Sequence, residues 1–368
     1  MKNLKRSIIL VSLCLLIFSL SRQESPQAVT PQKVQDVSYL GPGACAECHS
    51  EIHQGYIHSG MTAALEGISD CSILRSHPQL SFKNGKFTYR ITRQGDKSIY
   101  SVTDGTETFS APILYCFGQG KSGQTYVFDY SGSFYESRVS FYRGITGLDL
   151  TIGYAETEPK TVHEAAGRRM SRDETLKCFS CHSTGAVKNQ QLQLEQLYPG
   201  VTCESCHGSG VKHVAAHRAG KPAEGKMETL GKLDGDDMAQ NMCGKCHRSV
   251  EDVVVQPGLT SGVNGVRFQP YRIFKSKCYS IDQRIGCTSC HDPHGAMPKG
   301  TAAYDVNCLS CHLTEPSAKS VDGMAPACKV GKNDCSSCHM QKIELPGAHF
   351  KFTDHYIRIV REGEAFPK

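Results

Sequence analysis

Two textures of hydrophobic and polar positions divide the chain. From about Leu80 to Arg143 they alternate with period two: Phe87, Tyr89 and Ile91 are interleaved with Thr88, Arg90 and Thr92, and similar runs cover 99–102 and 126–130. That alternation predicts half-buried strands. Turn pairs at Asn84-Gly85, Asp104-Gly105 and Ser131-Gly132 predict the hairpins and short loops that join them. The expected element is a small antiparallel β-domain over 80–145, inserted into or packed on the rest.

Elsewhere periodicity is weak. The stretch from Cys45 to about Leu65 suits a short helix, and 160–358 read as short helical pieces, such as 191–198, joined by glycine-rich connections. Lys2, Lys5 and Arg6 precede an apolar run from Ile8 to Phe18, which reads as a signal peptide over 1–21. The run is shorter than the roughly 20 residues of a bilayer span, so export is expected, with a membrane anchor as the alternative if the segment stays uncleaved. Residues 22–40, with Pro26 and Pro31, read as a linker, and 359–368 as a tail.

Composition sharpens the picture. Among 368 residues there are 19 cysteines and 16 histidines but no tryptophan, an excess of soft metal-ligand chemistry. The formal charge is +5, and loss of 1–21 would remove three positive charges and no acid, leaving +2. No basic run with interleaved aromatics suggests a nucleic-acid partner. The sequence Gly118-Gln-Gly-Lys-Ser-Gly only half resembles a phosphate loop, because Tyr115 stands where the leading glycine belongs.

The decisive pattern is Cys-x-x-Cys-His, which occurs seven times. The copies are Cys45, Cys48, His49; Cys178, Cys181, His182; Cys203, Cys206, His207; Cys243, Cys246, His247; Cys287, Cys290, His291; Cys308, Cys311, His312; and Cys335, Cys338, His339. Composition alone would give about 0.04 copies, so this is the signature of covalent c-type haem attachment. Residues i, i+3 and i+4 share one helical face. Two thiols can therefore bond the porphyrin vinyl groups while the next imidazole reaches iron. Paired zinc sites, a lone redox pair and a disulfide framework each leave the seven adjoining histidines unexplained. Six copies fall within the 162 residues from Cys178 to His339, too dense a repeat for a side-chain core around each. Porphyrins are the expected interior: seven covalent haem c (heme c) groups.

Cys14, Cys71, Cys116, Cys278 and Cys328 lie outside the motifs. Four remain after removal of 1–21, and in an oxidising compartment the pairs Cys278–Cys328 and Cys71–Cys116 are one reading, isolated buried thiols the other. Second axial ligands are usually histidine or methionine. Nine histidines are spare: His53, His58, His77, His163, His213, His217, His294, His349 and His355. His294, three residues after His291 with Pro293 between, cannot share its iron and points to a neighbouring haem, and His213 follows His207 by the same logic.

The motifs with their surroundings resemble the multihaem family that includes the nitrifier tetrahaem electron carrier, hydroxylamine oxidoreductase and cytochrome c nitrite reductase. The resemblance rests on Ala44-Cys-Ala-Glu-Cys-His with Ser59 beyond it, Cys-Glu-Ser-Cys-His-Gly-Ser-Gly-x-x-His at 203–213, Cys-Thr-Ser-Cys-His-Asp-Pro-His-Gly at 287–295, and Cys-Ser-Ser-Cys-His-Met followed by Thr353-Asp-His-Tyr-Ile-Arg. It covers 44–66 and 160–358. It implies His213, His294 and His355 as distal ligands, with His163 and His349 next, and Met61 where relatives carry a ligand histidine, in rivalry with His53 and His58. All seven motifs end in histidine, unlike the nitrite reductases, and no crosslinking tyrosine context of hydroxylamine oxidoreductase is recognisable, so neither activity carries over.

The expected fold is therefore a multihaem cytochrome c of short helices and loops packed around haems, with a first haem-binding segment at 41–66 and a six-haem core at 160–358. The expected role is electron transfer in the periplasm or outside the cell, between redox partner proteins or from a quinol-linked membrane complex, after haem attachment by a cytochrome c maturation machinery. The alternative is a haem-dependent oxidoreductase acting on a small nitrogen or sulfur compound at one open-coordinate iron.

Overall fold

The computed structural model describes residues 38–154, 158–227, 233–255, 262–280, 285–312, 328–361 and 363–364. The expected signal peptide with Cys14, nearly all of the linker and the end of the tail lie outside them.

The alternating segment forms an antiparallel meander. Strands β2 (Gln79–Asn84), β3 (Phe87–Gln94), β4 (Lys97–Thr103), β5 (Thr108–Phe117), β6 (Gln124–Tyr130), β7 (Ser133–Tyr142) and β8 (Gly147–Leu150) are neighbours in chain order. Two short strands extend the sheet to nine: β1 (Leu65–Gly67) pairs with β5, and β9 (Gly167–Arg169) pairs with β7. The predicted turns sit at hairpin corners. Ser131 and Gly132 both take positive φ, 52° and 73°, as a two-residue hairpin turn demands.

Phe87, Tyr89 and Ile91 point inward and are almost fully buried, as their alternation predicts. They join Tyr100, Tyr126, Phe128 and Phe141 in a conventional aromatic core, closed by the helices Ser72–Ser76 and Val162–Ala166. A second cluster lies where Leu65, Phe117 and Val127 meet Phe179 of the helix Arg172–His182, so the sheet seats the second Cys-x-x-Cys-His motif directly.

Beyond Ala186 the interior changes character. Only seven buried apolar side chains are found there among the described residues, against twenty-nine up to and including Ala186, so side-chain burial alone does not organise this part. Residues 191–198 are not the expected helical piece: they run as a short strand, a single 3-10 turn and another strand edge. Leu192, Leu194 and Leu197 there pack on the Phe179 cluster, and that tertiary contact overrides local helical preference. The expected single helix after Cys45 is two, Pro42–Ala46 and Ser50–Tyr56, followed by β1. Among the described residues no helix is long and apolar enough to cross a membrane.

Candidate haem-ligating sites

Each Cys-x-x-Cys-His copy folds as about one helical turn. The histidine amide returns to the first cysteine carbonyl at 2.9 Å for His49 and His247 and 3.0 Å for His291 and His312. The second motif ends the helix Arg172–His182, which opens with a reciprocal capping box between Ser171 and Glu174. The third and seventh motifs are the helices Cys203–His207 and Cys335–His339.

The turns come together across the sequence. Thiols of Cys45 and Cys203, Cys181 and Cys246, Cys243 and Cys287, and Cys308 and Cys335 are neighbours. Cys206 also senses Cys243, and Cys290 senses Cys308. The motifs therefore form a contiguous series, first to third to fourth to fifth to sixth to seventh, with the second against the fourth. Burial, then the neighbouring Cys203, pushes the Cys45 thiol up to about 11. Cys181 is drawn down to about 6, chiefly by its hydrogen bond with Cys246.

Three motif imidazoles face a second imidazole from elsewhere in the chain. Ring centres of His49 and His213 are 6.4 Å apart with planes at 21°, those of His207 and His294 6.1 Å at 13°, and those of His291 and His355 6.2 Å at 47°. An iron bonded on both sides by imidazole at about 2 Å per bond holds two ring centres about 6.3 Å apart. The three pairs fit that spacing.

Orientation is fixed from behind. The Nδ1 atoms of His182, His213, His339 and His355 meet the carbonyls of Ala64, Gly225, Arg358 and Thr353 at 2.7, 2.9, 3.0 and 3.0 Å. A carbonyl only accepts, so the proton sits on Nδ1 and the Nε2 lone pair is free for a metal. Burial holds His182, His207, His247 and His291 below the ordinary imidazole range. Desolvation and then the neighbouring His291 bring half-buried His355 down to about 4. These rings are neutral at pH 7, the form that ligates iron.

The remaining candidates are placed differently. His163 packs against Phe109 and Tyr130 of the sheet, with Glu107 at 3.9 Å. His349 gives its Nε2 to Asp149 at 2.7 Å, while its ring meets the edge of Tyr142. The Met61 carbonyl accepts from the amides of Ala64 and Val201, which ties the loop after the first motif to the third motif. Among the described residues no facing imidazole of the kind above is found for His182, His247 or His339, and His182 has Phe117 at its edge, 5.3 Å away. Cys71 and Cys116 are fully buried side by side in the sheet core. Cys278 lies near Cys308 and Cys311 instead, and Cys328 is exposed.

Two groups that matter here carry no sequence signal of their own. Glu204, inside the third motif, is buried and accepts from the amides of Leu40, Gly41 and Gly210. Arg272 is buried against Asp354, the residue before His355. Their burial alone reveals them.

The comparisons agree with this chemistry. The family described as cytochrome c554 and c-prime matches residues 151–208, which include the second and third motifs. The C-type polyheme cytochrome OmcC of Geobacter sulfurreducens is 20% identical over 274 residues, 54% of this chain and 35% of that protein. The alignment thus spans about a third of the relative's length. No solved structure gives a significant match. Both likenesses support the same class, an electron-transfer cytochrome of the multihaem c type, and that class implies covalently bound haem c.

Proposed function

We propose that the chain is an exported cytochrome that carries seven covalent haems and relays electrons between redox partners. The opposed imidazole pairs carry this reading. In each of the three, one ring comes from a Cys-x-x-Cys-His turn and the other from a distant segment, at the spacing of a shared iron. We assign His213 to the iron of His49, His294 to that of His207, and His355 to that of His291. Haem supplies the one-electron chemistry. The chain's part is to bind, orient and space: cysteines anchor, carbonyl-bound Nδ1 atoms aim the rings, and contiguous turns keep neighbouring sites close. Apolar side chains such as Val254, Val255 and Val306 face outward near the motifs, where a porphyrin face suits them.

Donors and acceptors in keeping with this role are redox proteins or a quinol-linked membrane complex, with a maturation machinery attaching the haems. A pyridine haemochrome assay with intact mass tests the number; seven haems per chain are expected, and a colourless protein with fourteen alkylatable motif thiols would end the reading. The second reading, an oxidoreductase for a small nitrogen or sulfur compound, draws on the absence of a facing imidazole at His182, His247 and His339 among the described residues. Electron paramagnetic resonance separates the two: a high-spin ferric signal that shifts with nitrite, hydroxylamine or sulfite marks the enzyme.

A further inference from the structure

Glu204 is 3% exposed. Its oxygens accept three backbone amides: Leu40 at 2.9 and 3.1 Å, Gly41 at 2.8 Å and Gly210 at 2.9 Å. A buried carboxylate is costly without compensating hydrogen bonds, and among the described residues the hydrogen bonds to Glu204 come from main-chain amides.

The amides are not arbitrary. Gly41, in the left-handed region at φ 77°, starts the helix Pro42–Ala46 that carries Cys45, the first cysteine of the first motif. Gly210 starts the helix Val211–Arg218 that carries His213. One carboxylate thus grips the start of the helix that leads into the turn of His49 and the start of the helix that carries His213, the two rings standing 6.4 Å apart. The same two elements are clasped a second time at the surface, where Arg218 reaches Glu47 at 2.6 Å. That outer pair is exposed, and exposed pairs contribute little. The inner grip sets the geometry.

We propose that Glu204 is the positioning residue of the first haem's ligand pair and, as a buried anion held by main-chain amides, lowers the potential of that haem. This rests on His49 and His213 sharing an iron. A negative charge held close in a medium of low dielectric favours the ferric state, so its removal should raise the midpoint of one haem.

Spectropotentiometry of the intact holoprotein tests this. E204Q is expected to keep the wild-type haem content while one haem's ferric-to-ferrous ratio at fixed poise falls at least tenfold, about 59 mV for one electron. R218A, which opens only the outer clasp, should titrate like wild type. An E204Q titration superimposable on wild type overturns the proposal, as does an equal shift produced by R218A. If E204Q yields no holoprotein, E204D decides: it keeps the charge but withdraws the oxygens by one methylene, and it must alter one low-spin resonance signal. An unchanged spectrum overturns the proposal. A wild-type protein without haem or without reversible titration would instead defeat the reading of the whole chain.

Discussion

Arg272 and Asp354 meet through two hydrogen bonds of 2.8 Å each, with side chains 1% and 0% exposed. Asp354 also accepts from Arg358 at 3.2 Å and from the Tyr356 amide at 3.0 Å. Buried Ser276 holds the His355 carbonyl at 3.1 Å and accepts the Ile357 amide at 2.8 Å. The backbone on both sides of His355 is thereby fixed, and its ring is delivered to His291.

Arg272→Met would leave Asp354 buried with Arg358 as its remaining cation. Removing one partner of a buried pair destabilises by about 3 kcal/mol. Thermal melting of the holoprotein should show that loss, and the signal of one low-spin haem should broaden. An unchanged melt would place the pair outside the stabilising framework.

Substituting each facing imidazole tests the ligand pairs. His213→Ala, His294→Ala and His355→Ala should each convert one low-spin ferric signal to high spin. His163→Ala and His349→Ala should leave the spectrum as it was, since those rings engage Glu107 with two aromatics and Asp149 respectively. A methionine–iron charge-transfer band in magnetic circular dichroism, lost in Met61→Leu, would return the first iron to Met61.

The second motif's helix depends on its start. Ser171→Ala removes half of the capping box and should cost about 1 kcal/mol, measurable by denaturant titration. Glu174 belongs to that box and pairs with Arg168, which reaches on to Glu136 at 2.7 Å. Burial tends to raise the Glu174 carboxyl, but its bonds to Arg168 and Ser171 prevail and bring it down to about 2. A lowered folded-state value stabilises above the unfolded one near 4.5 and is lost as pH falls through about 2. Glu174→Gln should therefore flatten the fall in melting temperature between those limits; an undiminished slope would assign the acid sensitivity elsewhere.

Peptide mapping without reductant addresses the spare thiols. Cys71 and Cys116 are buried neighbours, so material from an oxidising compartment should yield them crosslinked. Cys278 and Cys328 should be alkylated. Recovery of a Cys278–Cys328 peptide would reverse that assignment.

Part of the fold is legible in the order of residues. Alternation at Phe87, Tyr89 and Ile91 writes a strand face directly into residue order, and the Cys-x-x-Cys-His turn is a local motif whose geometry follows from helical spacing. Placement in three dimensions is another matter. Glu204 acts on amides 163 and 164 residues away, and Arg272 acts on an acid 82 residues on, so neither leaves a local trace. His163 and His349 look like ligands by residue type, whereas packing and a carboxylate turn them toward the sheet. At 191–198 the helical expectation failed because contacts with Phe179, invisible locally, set the backbone.

The uneven distribution of buried apolar side chains has a consequence for biogenesis. The nine-stranded sheet owns enough oily interior to mature unaided, whereas the polypeptide after Ala186 owns little. Where porphyrin runs short, translation products should stall half-built: a compact, protease-resistant kernel around the sheet, trailing an unprotected remainder that quality-control proteases trim away.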